Sequence, residues 1–127
     1  MSLLILIHRT KAEDATETSR QLFEKLEEQY CEQLSSVRHV GWFIDIGSDI
    51  TIMFRSGENP AKVAGLRPDY YYSDDPMVLG WIEQGATKVG GKEIHDIDQV
   101  LSIISSYMGF KKSVDEIFSV ETYESEE

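Results

Sequence analysis

The chain has one cysteine, Cys31, in 127 residues. A single thiol forms no internal disulfide and no multi-cysteine zinc site, which predicts a reducing, cytoplasmic setting. Cys31 lies among charged residues without an activating neighbour, so thiol catalysis gains no support. Bases are also scarce: 12 Lys and Arg stand against 23 Asp and Glu, a net charge of −11. Nucleic-acid binding draws largely on Lys and Arg neutralising phosphates, so a direct grip on DNA or RNA is disfavoured, as is docking on an anionic membrane. The apolar opening, Met1 to Ile7, falls far short of the roughly 20 residues of a membrane-spanning helix. No cationic segment precedes it as in a secretory signal, and it reads as the first strand of a cytoplasmic fold. Repeats and low-complexity linkers are absent. The three prolines, Pro60, Pro68 and Pro76, fall in one short stretch.

The hydrophobic pattern predicts an α/β fold. Leu3-Leu4-Ile5-Leu6-Ile7 does not alternate, as expected of a strand covered on both faces. Thr10 to Glu13 fits a capping box opening a helix that runs to about Leu34, with Ala15, Leu22, Phe23, Leu26, Tyr30 and Leu34 on its buried face. From Val37 to Phe54 the period changes to two, and Gly47-Ser48-Asp49 divides the stretch into a β-hairpin in which Gly41 marks a bulge or close packing. Ser56 to Pro68 reads as a loop with one helical turn at Pro60 to Ala64. Asp69 to Ser73 is a strand in which at least one of Tyr70, Tyr71 and Tyr72 is core. Asp74 or Asp75 caps a helix beginning at Pro76, with Met77, Val78, Trp81 and Ile82 apolar and Gly85 as its stop. Ala86 to Val89 reads as a short strand. A last helix starts at Asp96 or Asp98 and ends at Gly109, burying Ile97, Val100, Leu101, Ile104 and Met108.

This order predicts a three-layer α/β sandwich with a mixed, partly parallel central sheet and helices on its faces. Residues 1–112 form the single domain. Residues 113–127 form a partly disordered acidic tail holding six acids and no base, so the body is only mildly acidic and leaves room for a local basic patch.

Ligands of open α/β sheets sit beyond the carboxyl ends of the strands, which points to the rim holding His8, Arg9 and Thr10 and, after the fourth strand, Ser73, Asp74 and Asp75. Asp74 and Asp75 are oxygen ligands suited to Mg²⁺, or else one is a helix cap and the other a solvated carboxylate. Arg55 and Arg67 flank a glycine-containing loop and form either an anion clamp or ion pairs with Asp69 or Asp74. The tyrosines offer a stacking face only where the strand does not bury them. His8, His39 and His95 lack metal-ligand spacing. Gly85 to Glu93 fails as a phosphate-binding loop, since Gly91 stands where lysine is required and no Ser or Thr follows Lys92. No nucleophile elbow occurs, so no catalytic residue is assigned.

Three features in order carry a family resemblance over about residues 3–85: the strand Leu3 to Thr10 leading into a long helix, the turn Phe54-Arg55-Ser56-Gly57, and Gly65-Leu66-Arg67-Pro68-Asp69 before the paired acids Asp74-Asp75. This arrangement resembles the ATPase core of phage terminase large subunits and related helicase-like motors, whose paired acids hold Mg²⁺ and polarise the attacking water. The phosphate-binding loop of that family has no counterpart here, and Asp75 replaces the usual glutamate. The resemblance therefore implies a P-loop-like fold without its nucleotide loop: a non-catalytic, phage- or prophage-associated binding or regulatory protein. Its expected ligand is a small anion or a protein partner at Arg55, Arg67, Asp74, Asp75, Arg9 and His8. The alternatives are a Mg²⁺-dependent phosphohydrolase or nuclease at Asp74 and Asp75, and an acidic DNA mimic. Exposure of Trp42 or Trp81 favours a homo-oligomer.

Overall fold

A computed structural model of the protein describes residues 2–29, 37–40, 42–47 and 49–108. The elements are β1 (Leu3–Arg9), α1 (Ala12–Gln29), β2 (Val37–Val40), β3 (Phe43–Ile46), β4 (Ile50–Ser56), a 3₁₀ turn (Pro60–Lys62), β5 (Tyr70–Ser73), α2 (Pro76–Ala86), a 3₁₀ turn (Thr87–Val89) and β6 (Lys92–Glu93). Among the described residues, six strands form one mixed sheet in the order β2-β3-β4-β1-β5-β6. β1 pairs in parallel with β4 and β5, and β5 with β6, whereas β2–β3 and β3–β4 are antiparallel. The chain divides into two compact units, Met1–Asp96 and Ile97–Glu127. The sheet, α1 and α2 belong to the first. In the second, residues 98–108 are helical, with Val100 and Ile104 fully buried. Among the described residues no helix is long and apolar enough to cross a membrane.

The unbroken apolar run of β1 has a direct structural cause. Leu6 lies level with Met53 and Tyr71 across the sheet and packs with Val63, Val78, Ile82 and Ala86, which places α2 on that face. The opposite face carries Ile5, Ile52, Ile44 and His39, aligned across four strands. Ser19 and Phe23 of α1 meet the His39 ring there, so α1 covers that side. With α1 on one face and α2 on the other, both sides of β1 are apolar, and the expected α/β sandwich is present.

Local departures have physical reasons. Val40 pairs with Phe43, so the chain reverses between them and the expected long first arm of the hairpin is two strands, β2 and β3. The role expected of Gly41 lies outside the described residues, as do Tyr30, Leu34, Gly109 and the acidic tail. The capping box is replaced: Thr10 gives its hydroxyl to Asp74, and α1 opens with the Ala15 N–H donating to Lys11 O. The helical turn expected at Pro60 to Ala64 is the shorter Pro60–Lys62 turn, which Asn59 caps, and Val63 at its end is fully buried. Tyr71 is the core tyrosine. Trp81 and Met77, expected on the apolar side of α2, are instead 46% and 67% exposed.

Gly85 does not stop α2. The helix continues to Ala86 and tightens into the 3₁₀ turn, which ends at left-handed Gly90, so the strand expected at Ala86 to Val89 is helical and β6 follows it. Gly85 is required by close approach instead: a Cβ there would lie 1.8 Å from Leu66 O. Gly80, on the same helix, has open space around its Cβ position. The two sites therefore predict opposite outcomes. Gly85→Ala lowers unfolding free energy in urea by roughly 3 kcal/mol, since backbone cannot yield as a side chain does. Gly80→Ala raises it by about 0.5–1 kcal/mol by removing glycine's helix penalty.

Candidate functional site

The helix following β1 covers one face of the sheet and the helix following β5 covers the other. The carboxyl ends of these neighbouring strands are therefore the switch point at which open α/β sheets place ligands. His8, Arg9 and Thr10 meet Ser73, Asp74 and Asp75 there, as their positions predicted.

The chain itself engages these groups. His8 is buried, with Nε2 2.7 Å from Gly57 O and Nδ1 2.8 Å from Ser73 Oγ. A carbonyl oxygen only accepts, so Nε2 donates to Gly57 O, while Nδ1 shares a hydrogen bond with the Ser73 hydroxyl, which also reaches Asp75 O at 3.2 Å. The Ser73 oxygen also accepts the Asp75 N–H at 3.0 Å. Arg9 Nε donates to Asp74 Oδ2 at 2.9 Å and its Nη1 to Thr18 Oγ1 at 2.9 Å. Asp74 Oδ1 accepts both the Thr10 N–H at 2.8 Å and the Thr10 hydroxyl at 2.7 Å. Asp75 caps α2, accepting the Met77 and Val78 N–H groups, with Pro76 in the first helical position. Among the described residues, no three His, Cys, Asp or Glu side chains are arranged to hold a metal ion, and no buried side-chain nitrogen or oxygen lacks a partner.

The two loop arginines are not brought together. Arg55 lies level with His8 near the carboxyl edge, its guanidinium 5.6 Å from the centre of the Phe43 ring and its Nη1 donating to Phe54 O. Arg67 enters β5 from the opposite edge, where Asp69 exchanges hydrogen bonds with Leu4: its N–H donates to Leu4 O, and the Leu4 N–H donates to Asp69 Oδ2. Asp69 and Asp74 thus have partners other than Arg55 and Arg67.

Arg67 instead borders a groove of about 140 Å³, lined by Ala64, Gly65, Trp81, Gln84, Gly85 and Lys88 as well. Trp81, Gln84 and Lys88 recur at helical spacing along α2 and its 3₁₀ extension, beside the buried stripe of Val78, Ile82 and Gly85. The loop approaches closely because Gly85 has no side chain and Gly65 takes a φ of 82°. Neither Arg67 nor Lys88 has an ion-pair partner among the described residues. Trp81, Gln84 and Lys88 were missed because ending the helix at Gly85 removes Lys88 from the stripe. The available signal was Gly90-Gly91, a stronger stop than Gly85.

An open, mixed α/β sheet with an engaged carboxyl edge and a cationic groove beside its second helix is the class that fold and site define. The chain matches no protein-family model, no curated protein and no solved structure.

Burial pushes the Asp74 carboxyl up, but the Thr10 hydroxyl, Arg9 and the Thr10 N–H outweigh it and hold the group below its ordinary value. A carboxylate with a depressed folded pKa contributes stability above its unfolded value, and that contribution disappears as pH falls through the folded value. Wild-type stability should therefore drop as pH falls from about 4. Asp74→Asn should cost about 1–2 kcal/mol at neutral pH and flatten that acid-side decline in urea unfolding.

Proposed function

We propose that the protein is a non-catalytic binding or regulatory protein whose ligand is a small anion, held in the groove between Arg67 and Lys88. One observation carries this reading: in a chain with nearly two acids for every base, two cations border one groove and neither is paired with a carboxylate. Arginine presents a planar fork that matches carboxylate and phosphate oxygens, and lysine adds a point charge. A net charge of −11 repels a long polyanion but matters less at close range, because salt screens charges beyond about 8 Å.

The proposed origin is a motor ATPase core, phage- or prophage-associated, that no longer turns over nucleotide. The meeting of three segments supports it: the Phe54-Arg55-Ser56-Gly57 turn and the paired acids flank the end of β1, with Arg9 level with Ser56 and His8 level with Ser73. The same meeting favours a second reading, a Mg²⁺-dependent phosphohydrolase at Asp74 and Asp75. That chemistry requires Asp74 to exchange Arg9 and Thr10 for the metal. Self-association through the exposed Trp42 and Trp81 remains part of the proposal for partners.

Calorimetric titration with inorganic phosphate and pyrophosphate tests the main reading. Binding should weaken as KCl rises, and by about two- to fivefold in each of Arg67→Ala and Lys88→Ala. A silent titration would remove it. A Mg²⁺ binding signal that Asp74→Asn abolishes would favour the hydrolase instead.

A further inference from the structure

The groove holds more than charge. Trp81 is nearly half exposed, although a tryptophan on an amphipathic helix normally turns toward the core. Its neighbours in the stripe, Gln84 and Lys88, are polar and exposed, and Arg67 faces them from the loop. The indole thus lines the same groove as two cations and an amide. An anion alone has no use for the indole, and an apolar ligand has none for the cations.

We infer that the groove binds a mononucleotide-like anion: one aromatic ring stacked on Trp81, one phosphate held by Arg67 and Lys88, and ring-edge hydrogen bonds offered to the Gln84 amide. This rests on the anion reading above and adds the ring to it. Base–indole stacking accepts any base because each presents a π-face, while the amide supplies both donor and acceptor. A groove of about 140 Å³ is small beside the roughly 300 Å³ or more of pockets that bury a drug-sized ligand, so it covers part of a mononucleotide and leaves the rest toward solvent. Net charge disfavours a longer ligand, because a long single strand brings many phosphates toward an acidic surface and only two cations border the groove. Gly85 against Leu66 O holds the loop backbone close to the helix, so the ordering left for the binding step is mainly that of the side chains.

The test uses the full chain in a Trp42→Phe background, so that Trp81 is the remaining indole. AMP, ribose 5-phosphate, inorganic phosphate and adenosine are titrated while Trp81 fluorescence and binding heat are recorded. AMP is expected to quench Trp81 and bind about tenfold tighter than ribose 5-phosphate or adenosine, a ratio worth about 1.4 kcal/mol. Trp81→Ala should bring AMP down to the affinity of ribose 5-phosphate, and Arg67→Ala combined with Lys88→Ala should bring it down to that of adenosine. All three side chains are exposed, so circular dichroism should show these variants folded. Equal binding of AMP, ribose 5-phosphate and phosphate, all weakened by Arg67→Ala and by Lys88→Ala, would overturn the ring assignment and leave the anion site standing. AMP binding unchanged by Trp81→Ala would also overturn the ring assignment. Binding of none of the four would overturn both.

Discussion

The parallel pairing of β1 with β4 on one side and β5 on the other is the constraint on which the rest of the structure depends. It buries β1 on both faces, which accounts for a strand with no polar alternation until His8. It also brings segments about 50 and 65 residues distant to a common edge, and a small set of polar bonds then locks that edge. His8 bridges Ser73 and Gly57, Arg9 and Thr10 hold Asp74, and Asp75 starts α2. The bonds of His8, Arg9 and Thr10 join the end of β1 to the ends of β4 and β5. Buried polar groups are costly unless satisfied, so a complete network suits a structural joint.

Once the edge is understood as a joint, the proposed binding role moves to the other side of α2. The same glycine that lets the Leu66 carbonyl approach the helix also brings Arg67 beside Trp81 and Lys88. Packing and proposed recognition thus share one cause. Removing the joint should loosen the strand ends, whereas removing the groove cations should leave the fold intact.

Periodicity made the main elements legible. The unbroken run at Leu3 to Ile7, the stripe of α1 and the Asp-Pro start of α2 each have a single local explanation, and each is present. Positions decided by tertiary contact were not legible. Thr10 is a good helix cap by sequence, but a carboxylate 64 residues away takes its hydroxyl. Gly85 looks like a helix stop, yet its reason is a carbonyl from another segment. Of the six residues expected to bind ligand, His8, Arg9, Asp74 and Asp75 gather at one edge with Arg55 nearby, whereas Arg67 lies elsewhere. A pair of arginines flanking one loop suggested a clamp, and only the sheet's direction shows that the loop crosses from one edge to the other.

Amide and indole NMR shifts during titration with AMP test the division between joint and groove most directly. Perturbation at Gly65, Arg67, Gln84, Lys88 and the Trp81 indole N–H, with Arg9, Thr10, Ser73 and Asp74 unmoved, is the expected result. Shifts centred on Thr10, Ser73 and Asp74, with Trp81 silent, would contradict it and return the binding site to the carboxyl edge.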